Sequence, residues 1–513
     1  MRFIDYYNKG MARGAGGVAF IDGGTRYAWD EVDAMSARIA AGLHAMAPSD
    51  EARIGVYSPN DTRAFACVLG ILRADLVWVP INWRNTVHAN GHLLELTGCD
   101  ILLYHSDFAR EAQQLAEQRN GGMRLICLDK DTQTGSEFAV LAEDHPGLPD
   151  SFEDEDRLVA LFPTGGTTGL SKAARWTHRT LGATCDAFWQ CLATDEPIVH
   201  LVAGPMTHAA GLLALNMMPA APTHIILKTP DPLSILQAID QHRVTHLYLP
   251  PTLLYALLSH PRVGEFDYSS LRAMVLAAAP VAPEKLREAR SVFGPVICQS
   301  YGQAEAPMFL TFLPARDLAQ AGDNSPIFAS CGRETLQARL AIMDDDGAVL
   351  PDNTRGEIVA RGPLVFPGYH ANPEGTKKAF SNGWLRTGDV GYRDPDGYYY
   401  IVDRKKDMVV TGGFNVYTAE VEQAVLAHPD VRDCAVFGVP DEKWGEAVKA
   451  VVELKPGASF DPESIAAKVK DLLGAVQTPK SVDVWPELPR SGNGKILKRE
   501  IRDRFWQQQD RQV

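Results

Sequence analysis

The chain has 513 residues, of which 45% are hydrophobic and 22% are charged, and its formal net charge is −14. This composition excludes disordered and fibrous proteins, and the excess of acidic side chains disfavours nucleic acid and anionic membrane surfaces as partners. At about 150 residues per domain, the length predicts two or three compact units.

The sequence shows no membrane or secretory signature. No apolar run approaches the roughly 20 residues that a membrane helix needs, and the first ten residues lack the basic and then apolar order of a secretion signal. We therefore predict a cytoplasmic protein without a membrane partner. The eight cysteines include no C-x-x-C pair, which disfavours structural zinc and a disulfide framework.

Predicted strands and helices alternate through the first part of the chain. Asp30 is the candidate cap of a helix whose apolar residues recur at helical spacing, at Val32, Met35, Ile39 and Leu43. The alternation continues in the following elements: strands 53–57, 77–80, 245–249 and 273–276, and helices over 61–74, from 252 and from 283. This order is typical of layered α/β proteins with parallel sheets.

The composition changes at residues 402–407, where five charged side chains lie between apolar stretches. We predict a hinge there, between a large domain of residues 1–403 and a small one of residues 404–513. The small domain is predicted to contain helix 419–427, strands near 433–439 and 447–454, and a helix opened by Asp461 and Pro462, with Ile465, Val469, Leu472 and Leu473 on one face. The fold class is therefore α/β, a large multi-layered N-terminal domain with mixed and parallel sheets plus a small α+β C-terminal domain.

A glycine-rich segment, TGGTTGLSK at residues 164–172, follows the apolar run 158–162. The backbone N–H groups of such a segment can turn inward and bind phosphate, and Lys172 adds positive charge. The nucleotide-binding loop G-x-x-x-x-G-K-[ST] is excluded, because no glycine directly precedes Lys172 and Ser171 stands before it rather than after it. Taken alone, the segment also fits a flexible surface turn.

Four further motifs accompany this loop: YGQAE at 301–305, WLRTGD at 384–389, DRKKD at 403–407 and PRSGNGK at 489–495. In order and spacing they resemble the signature motifs of the adenylate-forming superfamily, which includes acyl-CoA synthetases, carrier-loading adenylation domains and luciferases. The resemblance covers the chain from about residue 27 to residue 505.

The resemblance implies an enzyme that uses ATP and Mg²⁺ to turn a carboxylic acid into an acyl-adenylate, and then transfers the acyl group to a thiol. The glycine-rich loop would hold the β- and γ-phosphates of ATP. The implied phosphate ligands are Thr164, Gly165, Gly166, Thr167, Thr168, Gly169 and Lys172.

Two segments are implied to surround the metal and the adenine. Glu305 matches the Mg²⁺ ligand of the family, a role that suits a hard carboxylate oxygen, and Tyr301 matches the aromatic residue that stacks on adenine. Ala304 stands where the family usually has threonine, which removes a hydroxyl expected near the α-phosphate. The implied adenine-binding residues are Tyr301, Gly302, Gln303 and Ala304, together with Ala278, Ala279 and Pro280.

Charged residues of the later motifs match ribose and catalytic positions. Asp389 matches the aspartate that accepts both ribose hydroxyls, and Arg404 matches an arginine that contacts the ribose region. Lys495 matches the lysine that bridges the carboxylate and the α-phosphate during adenylation. Taken singly, each of these residues also fits a solvated surface role, so the prediction depends on the motifs occurring together.

The second half-reaction implies a mobile small domain. In relatives this domain rotates, and the matching hinge position is Lys406. After rotation, Gly412 and Gly413 would line the channel for the pantetheine arm of CoA.

The implied acyl pocket comprises residues 205–211, 276–278 and 302–308, which are almost all small or apolar. An aryl or medium-to-long aliphatic acid is the expected substrate, and an amino acid is disfavoured because no aspartate could pair with its amino group. His208 matches a position beside the acyl and thiol channels, where it could gate them as a candidate catalytic residue; a hydrogen-bonded, partly buried histidine is the alternative.

The expected cofactors are ATP, Mg²⁺ and coenzyme A. A separate carrier protein as acyl acceptor and a homodimer stay open. Outside enzymes, a non-catalytic acyl- or nucleotide-binding protein is a distant alternative.

Overall fold

The computed structural model describes residues 1–119, 122–129, 154–164, 171–441, 443–490 and 496–506. The helices are α1 Ile4–Gly14, α2 Trp29–Met46, α3 Thr62–Arg73, α4 Val87–Thr97, α5 Ala109–Gln118, α6 His178–Leu192, α7 Ala209–Met217, α8 Pro232–Gln241, α9 Pro251–Leu258, α10 Pro283–Phe293, α11 Ala315–Gln320, α12 Pro373–Ala379, α13 Thr418–Leu426, α14 Pro462–Leu473 and α15 Lys498–Trp506.

The strands are β1 Val18–Asp22, β2 Thr25–Ala28, β3 Arg53–Tyr57, β4 Val77–Ile81, β5 Ile101–Tyr104, β6 Arg124–Cys127, β7 Leu158–Pro163, β8 Ala173–Thr177, β9 Val199–Val202, β10 Thr223–Ile226, β11 His246–Leu249, β12 Ala273–Leu276, β13 Ile297–Gln303, β14 Ala306–Leu313, β15 Arg333–Glu334, β16 Arg339–Met343, β17 Gly356–Arg361, β18 Phe380–Ser381, β19 Trp384–Arg393, β20 Tyr399–Arg404, β21 Val409–Thr411, β22 Phe414–Val416, β23 Val431–Asp441, β24 Gly445–Leu454 and β25 Ser481–Val484.

The chain divides into two compact units. The first comprises Met1–Leu340 and Ala360–Leu385, and the second comprises Ala341–Val359 and the chain from Arg386 onward. The prediction of a large α/β body with parallel and mixed sheets, followed by a small α+β domain, is confirmed. The predicted boundary between residues 403 and 404 is the point about which the small domain is expected to rotate. It stays a prediction.

Two sheets lie entirely within the first unit. One has the strand order β15-β14-β13-β12-β11-β9-β10-β1-β2, and the other has the order β6-β5-β3-β4-β7-β8. In the larger sheet β1, β10, β9, β11, β12 and β13 run parallel, whereas β2 pairs antiparallel with β1, β14 with β13, and β15 with β14. The segments that follow β9, β12 and β13 therefore leave the sheet on the same side, at the carboxyl ends of the strands. Ligand sites of parallel sheets usually lie at these ends.

The boundaries of several predicted strands and helices lie within one or two residues of those observed. Asp61 caps α3 by accepting a hydrogen bond from the N–H of Arg63 at 2.8 Å. The predicted cap of α2 was wrong, because Glu31 instead accepts a hydrogen bond from the N–H of Ala28 at 2.7 Å. Asp30 accepts one from Gly16 at 3.1 Å, so it ties the helix to the preceding turn.

The second unit contains the α+β domain. Its core joins α13 and α14 to β23 and β24, and includes Val421, Val425, Val436, Val452 and Ile465. Asp461 caps α14 as predicted, accepting from the N–H of Ser464 at 3.0 Å. Of the four residues predicted on its apolar face, Leu473 packs against the core as predicted, but Leu472 was placed there wrongly, since its side chain is 53% exposed. The strands β16–β20 form a further sheet.

Among the residues that the structure describes, every helix is too short or too polar to traverse a lipid bilayer.

Three histidines lie side by side inside the large sheet. His224, His200 and His246 are in register on the neighbouring strands β10, β9 and β11, and all three are buried. The Nδ1 atoms of His200 and His224 are 2.9 Å apart, and their buried Nε2 atoms have no hydrogen-bond partner among the described residues. Burial lowers the pKa of His224 to about 3 and that of His246 to about 4, and it holds the pKa of His200 well below its ordinary value.

We predict that the protein loses stability as the pH falls from about 6.5 towards 4. In this window the three histidines bind protons in the unfolded chain but not in the folded one. Each of them therefore lowers the free energy of unfolding by up to about 1.4 kcal/mol for every unit that the pH falls. Denaturant titrations across the window measure this slope. The variant His224→Gln should remove about a third of the part that these histidines contribute; an unchanged slope would contradict the account.

Candidate active site

The ends of the glycine-rich loop are fixed by two antiparallel strands. Pro163 in β7 pairs with Ala173 in β8, and the N–H of Thr164 donates to the carbonyl of Lys172 at 2.9 Å. The loop therefore joins strand to strand, whereas a G-x-x-x-x-G-K-[ST] loop joins strand to helix. The predicted ligands Gly165, Gly166, Thr167, Thr168 and Gly169 lie outside the described residues.

Lys172 and Glu305 contact the same tyrosine. The phenol of Tyr369 donates a hydrogen bond to Oε1 of Glu305 at 2.6 Å, and Nζ of Lys172 lies 4.6 Å from the centre of the Tyr369 ring. The structure thus brings together the predicted phosphate-binding lysine and the predicted metal ligand. Tyr369 was not predicted, because the sequence motifs give no sign that residue 369 lies between them.

Glu305 lies at the tip of the hairpin formed by β13 and β14, in which Gln303 pairs with Ala306. Next to it, the carbonyl of Ala304 accepts a hydrogen bond from the indole N–H of Trp176 at 2.7 Å. Gly302 is required here by a close approach, since a Cβ at this position would lie 2.5 Å from the backbone nitrogen of Met308. The hairpin tip is therefore held at its backbone, which fixes where the Glu305 side chain begins.

The predicted adenine-binding residues lie at the ends of two neighbouring parallel strands. Tyr301 belongs to β13 and is buried, while Ala278, Ala279 and Pro280 follow β12 and are exposed. Ala278 has a φ of +76°, in the left-handed region that normally favours glycine. The alanine is thus conformationally strained at this position.

We predict that Ala278→Gly stabilises the protein. A non-glycine residue in the left-handed region costs about 1–2 kcal/mol, and this gain exceeds the roughly 0.5–1 kcal/mol of extra chain entropy that glycine loses on folding. The net increase in the free energy of unfolding, measured with denaturant, should be about 0.5–1 kcal/mol. Ala279→Gly is the control: Ala279 has no positive φ, so glycine there should destabilise, and equal effects at both positions would contradict the strain.

His208 is the residue directly before α7 and lies within the predicted acyl segment 205–211. Its ring contacts the Phe162 ring edge-on at 5.6 Å, and its Nδ1 lies 3.1 Å from the hydroxyl of Thr207. Burial lowers the pKa of His208 to about 4, so the imidazole is neutral at pH 7. A neutral ring can accept one hydrogen bond and donate another without bringing a charge into an apolar pocket.

Asn60 holds the segment before His208 and was not predicted. Its side-chain oxygen accepts from the N–H of Met206 at 2.8 Å, and its amide nitrogen donates to the carbonyls of Gly204 and Leu227 at 2.9 and 3.0 Å. One buried amide therefore fixes both sides of Pro205. Only the assembled fold shows this, because Asn60 follows β3 in the other sheet.

In the second unit, the predicted ribose-binding residues pair with each other. Asp389 in β19 is opposite Arg404 in β20, and Nε of Arg404 lies 2.8 Å from Oδ1 of Asp389. Buried Glu357 supports this pair: it accepts from Arg386 at 2.6 Å and from Lys405 at 3.1 Å. Burial alone would raise the pKa of Glu357, but these hydrogen bonds hold it below its ordinary value.

Gly412 and Gly413 form the tight turn between β21 and β22, in which Thr411 pairs with Phe414. Both glycines have positive φ, +56° and +81°, as a two-residue hairpin turn requires. The N–H of Gly412 donates to the carbonyl of Trp444 at 2.9 Å. Lys406 lies in the turn after β20, where the N–H of Asp407 donates to the carbonyl of Arg404 at 2.9 Å.

Lys495 lies outside the described residues, but both flanks of its segment are anchored. Arg490 forms an isolated β-bridge with Ile496 and donates to Asp433 at 2.7 Å. Beyond it, Nζ of Lys498 lies 2.8 Å from Oε1 of Glu422.

A magnesium ion would receive one carboxylate from the first unit. Glu305 is partly buried, and its Oε2 has no hydrogen-bond partner among the described residues. No group of three or more His, Cys, Asp or Glu side chains in the described ranges could hold a metal ion. The single carboxylate of Glu305 is compatible with Mg²⁺, which is commonly held by one or two carboxylates together with phosphates and waters.

Comparison with solved structures defines the class as the adenylate-forming enzymes. The amide bond synthetase McbA from Marinactinospora thermotolerans superposes with a TM-score of 0.88 at 28% identity, covering 98% of this chain and 100% of that one.

The profile of the AMP-binding enzyme family matches residues 9–370, and the AMP-binding enzyme C-terminal domain matches residues 420–495. The chain belongs to the AMP-binding enzyme family. It is 41% identical over 368 residues to the medium/long-chain-fatty-acid–CoA ligase FadD8 of Mycobacterium tuberculosis, a match covering 70% of this chain and 63% of that ligase. It is 34% identical over 493 residues to a feruloyl-CoA synthase of Amycolatopsis sp, covering 94% and 95% of the two chains. The predicted membership of the adenylate-forming, acyl-CoA synthetase group is confirmed.

Proposed function

We propose that the protein is an ATP-dependent, AMP-forming acid:CoA ligase. The observation that carries this proposal is the contact of Lys172 and Glu305 with one tyrosine, at the base of a loop rich in backbone N–H donors. A cationic group and a metal-binding carboxylate next to such a loop fit a polyphosphate with its cation. The family membership and the names of the relatives support the same chemistry.

In the first half-reaction, a carboxylate oxygen of the acid attacks the α-phosphorus of ATP and pyrophosphate leaves. Both reactants are anions, so the site has to cancel charge and align the attack. Thr164, the glycines of the loop and Lys172 would hold the β- and γ-phosphates, and Lys495 would bridge the carboxylate and the α-phosphate. Glu305 would hold Mg²⁺, which when bound would supply positive charge to the phosphates.

Asp389 and Arg404 would bind the ribose. The Asp389 carboxylate is buried and fixed by Arg404, so its oxygens are oriented before a ligand arrives. Two vicinal hydroxyls can donate to such a carboxylate. Tyr301 and the segment 278–280 would bind the adenine.

In the second half-reaction, the sulfur of CoA attacks the acyl carbonyl carbon, the thiol loses its proton, and AMP leaves with the oxygen that joined it to the acyl group. Rotation about Lys406 would withdraw Lys495 and bring Gly412 and Gly413 to the pantetheine arm. Neutral His208 would lie beside the arriving thiol.

The substrate class that fits best is an aryl or medium-to-long aliphatic acid. The segments after β9 and β12 are rich in alanine and glycine residues, and the neutral His208 adds no charge. The two curated relatives are named for a medium/long-chain fatty acid and for ferulate, which are acids of these two kinds.

Mass spectrometry of reaction products tests the proposal. Purified protein is incubated with ATP, Mg²⁺ and pooled aliphatic and aromatic acids, with and without CoA. An acyl-CoA together with AMP is the expected result and identifies the acid. An acyl-adenylate that persists in the presence of CoA would redirect the proposal to a carrier protein as acceptor, and ATP binding without AMP release would overturn it in favour of a non-catalytic protein.

A further inference from the structure

Tyr369 is fixed by hydrogen bonds to two parts of the first unit. Its backbone forms an isolated β-bridge with Ala174 of β8, and its N–H donates to the hydroxyl of Thr376 at 2.9 Å. The residues on either side are also bound to β8: Gly368 accepts from Arg175 at 3.0 Å, and His370 donates to Ala173 at 2.8 Å. The tyrosine is therefore locked to the strand that follows the glycine-rich loop.

The same segment also holds the hairpin tip that carries Glu305. The N–H of Phe366 donates to the backbone carbonyl of Glu305 at 2.9 Å, and the rings of Phe366 and Tyr369 pack edge to face at 4.9 Å. The Tyr369 hydroxyl then donates to Oε1 of the Glu305 side chain at 2.6 Å. Glu305 is thus held at its backbone by Phe366 and at its side chain by Tyr369, two residues three positions apart.

The hydroxyl leaves one carboxylate oxygen for another partner. A phenol that donates to an ionised carboxylate makes a short, charge-assisted hydrogen bond, and this bond selects one rotation of the carboxylate group. Oε2 has no hydrogen-bond partner in the described part of the chain. A phenol is protonated at neutral pH, so the Tyr369 hydroxyl is a donor there.

The ring of Tyr369 also contacts a second charged group, the ammonium of Lys172. Nζ of Lys172 lies over this ring at 4.6 Å from its centre, a cation–π distance. Lys172 is otherwise an exposed side chain at the end of the loop. One tyrosine therefore sets the positions of an anionic and a cationic group of the site.

We propose that Tyr369 is a positioning residue that orients the carboxylate of Glu305 for the metal ion of the nucleotide complex, and that its ring places Lys172 on the phosphates. This inference rests on the proposed function. It makes two separable claims, one for the hydroxyl and one for the ring.

The variant Tyr369→Phe tests the hydroxyl, because phenylalanine keeps the ring. Mn²⁺ binding is measured by electron paramagnetic resonance in the presence of α,β-methylene-ATP, whose α–β linkage cannot be cleaved. We expect the Kd for Mn²⁺ to rise by about 10-fold or more, the effect seen when a partner of a metal ligand is removed. The Mg²⁺ concentration for half-maximal adenylation should rise in parallel, and saturating Mg²⁺ should restore most of the rate.

Tyr6→Phe is the matched control. The phenol of Tyr6 also donates to a carboxylate, that of Asp186, at 2.9 Å, but this pair joins α1 to α6 and belongs to no predicted site. Its loss should leave the Mn²⁺ affinity unchanged. The thermal midpoint of both variants is measured to detect a general loss of structure.

Tyr369→Leu tests the ring. It removes the cation–π contact as well as the hydroxyl, so the affinity for metal-free α,β-methylene-ATP should fall in this variant and stay unchanged in Tyr369→Phe. Equal metal affinity in the wild type and in Tyr369→Phe would overturn the hydroxyl claim, and equal nucleotide affinity in the two Tyr369 variants would overturn the ring claim. Wild-type protein that forms no acyl-adenylate would refute the proposed function instead, so the two failures are distinguishable.

Discussion

Replacing Lys495 by alanine is expected to lower the rate of acyl-adenylate formation by about 10²-fold or more, the effect of removing one oriented donor from a charged transition state. As the carboxylate attacks the α-phosphorus, negative charge develops between two groups that already repel each other. A lysine between them stabilises that state more than it stabilises the bound substrates. The rate is measured by rapid quench, as pyrophosphate released in a single turnover.

The fold should tolerate this substitution. The segment before Lys495 is anchored by the ion pair of Arg490 with Asp433, and the segment after it by that of Lys498 with Glu422. Lys470→Ala is a suitable control, because Lys470 is an exposed lysine of α14 in the same unit. Acyl-adenylate formation at the wild-type rate in Lys495→Ala would remove this residue from the mechanism.

Replacing Lys406 by proline is expected to separate the two half-reactions. Proline fixes φ near −65°, so rotation about residue 406 is restricted, and thioester formation should fall by about 10²-fold or more while adenylation is partly retained. Residue 406 is the third residue of the turn from Arg404 to Asp407, where proline is disfavoured, and some loss of stability is expected as well. Pyrophosphate release and acyl-CoA formation are measured on the same sample.

Lys406→Ala is the control for this experiment. It removes the side chain but leaves the backbone free to rotate, so both half-reactions should continue at similar relative rates. If proline lowered adenylation and thioester formation by the same factor, residue 406 would not be the hinge.

The elements were predictable where local rules decide them. Asp61 and Asp461 cap helices because a short side chain oxygen can reach the first free N–H groups of its own helix. The parallel sheets follow from the alternation of strands and helices. Asp30 shows the limit of such reasoning: the helix begins at Trp29, with Ala28 as its N-cap, so Asp30 lies inside the first turn and Glu31 accepts the hydrogen bond from the N–H of Ala28.

The sequence motifs predicted which residues belong to the candidate site, but not which side chains contact each other within it. Tyr369 and Glu305 are 64 residues apart, and only the tertiary structure brings the phenol to the carboxylate. Ala278 illustrates a different limit: its positive φ is imposed by the path of the chain after β12, and an alanine gives no local sign of it. Leu472 was misplaced because a helical period alone does not determine how wide the buried face is.

Oxygen-isotope transfer tests the central claim most directly. The acid identified by product analysis is labelled with ¹⁸O in both carboxylate oxygens and incubated with the enzyme, ATP, Mg²⁺ and CoA. If the carboxylate attacks the α-phosphorus, one ¹⁸O atom remains on AMP after the thiol displaces it, and the acyl-CoA keeps the other. Unlabelled AMP, or ¹⁸O in inorganic phosphate with ADP as the nucleotide product, would contradict adenylation and with it the proposed function.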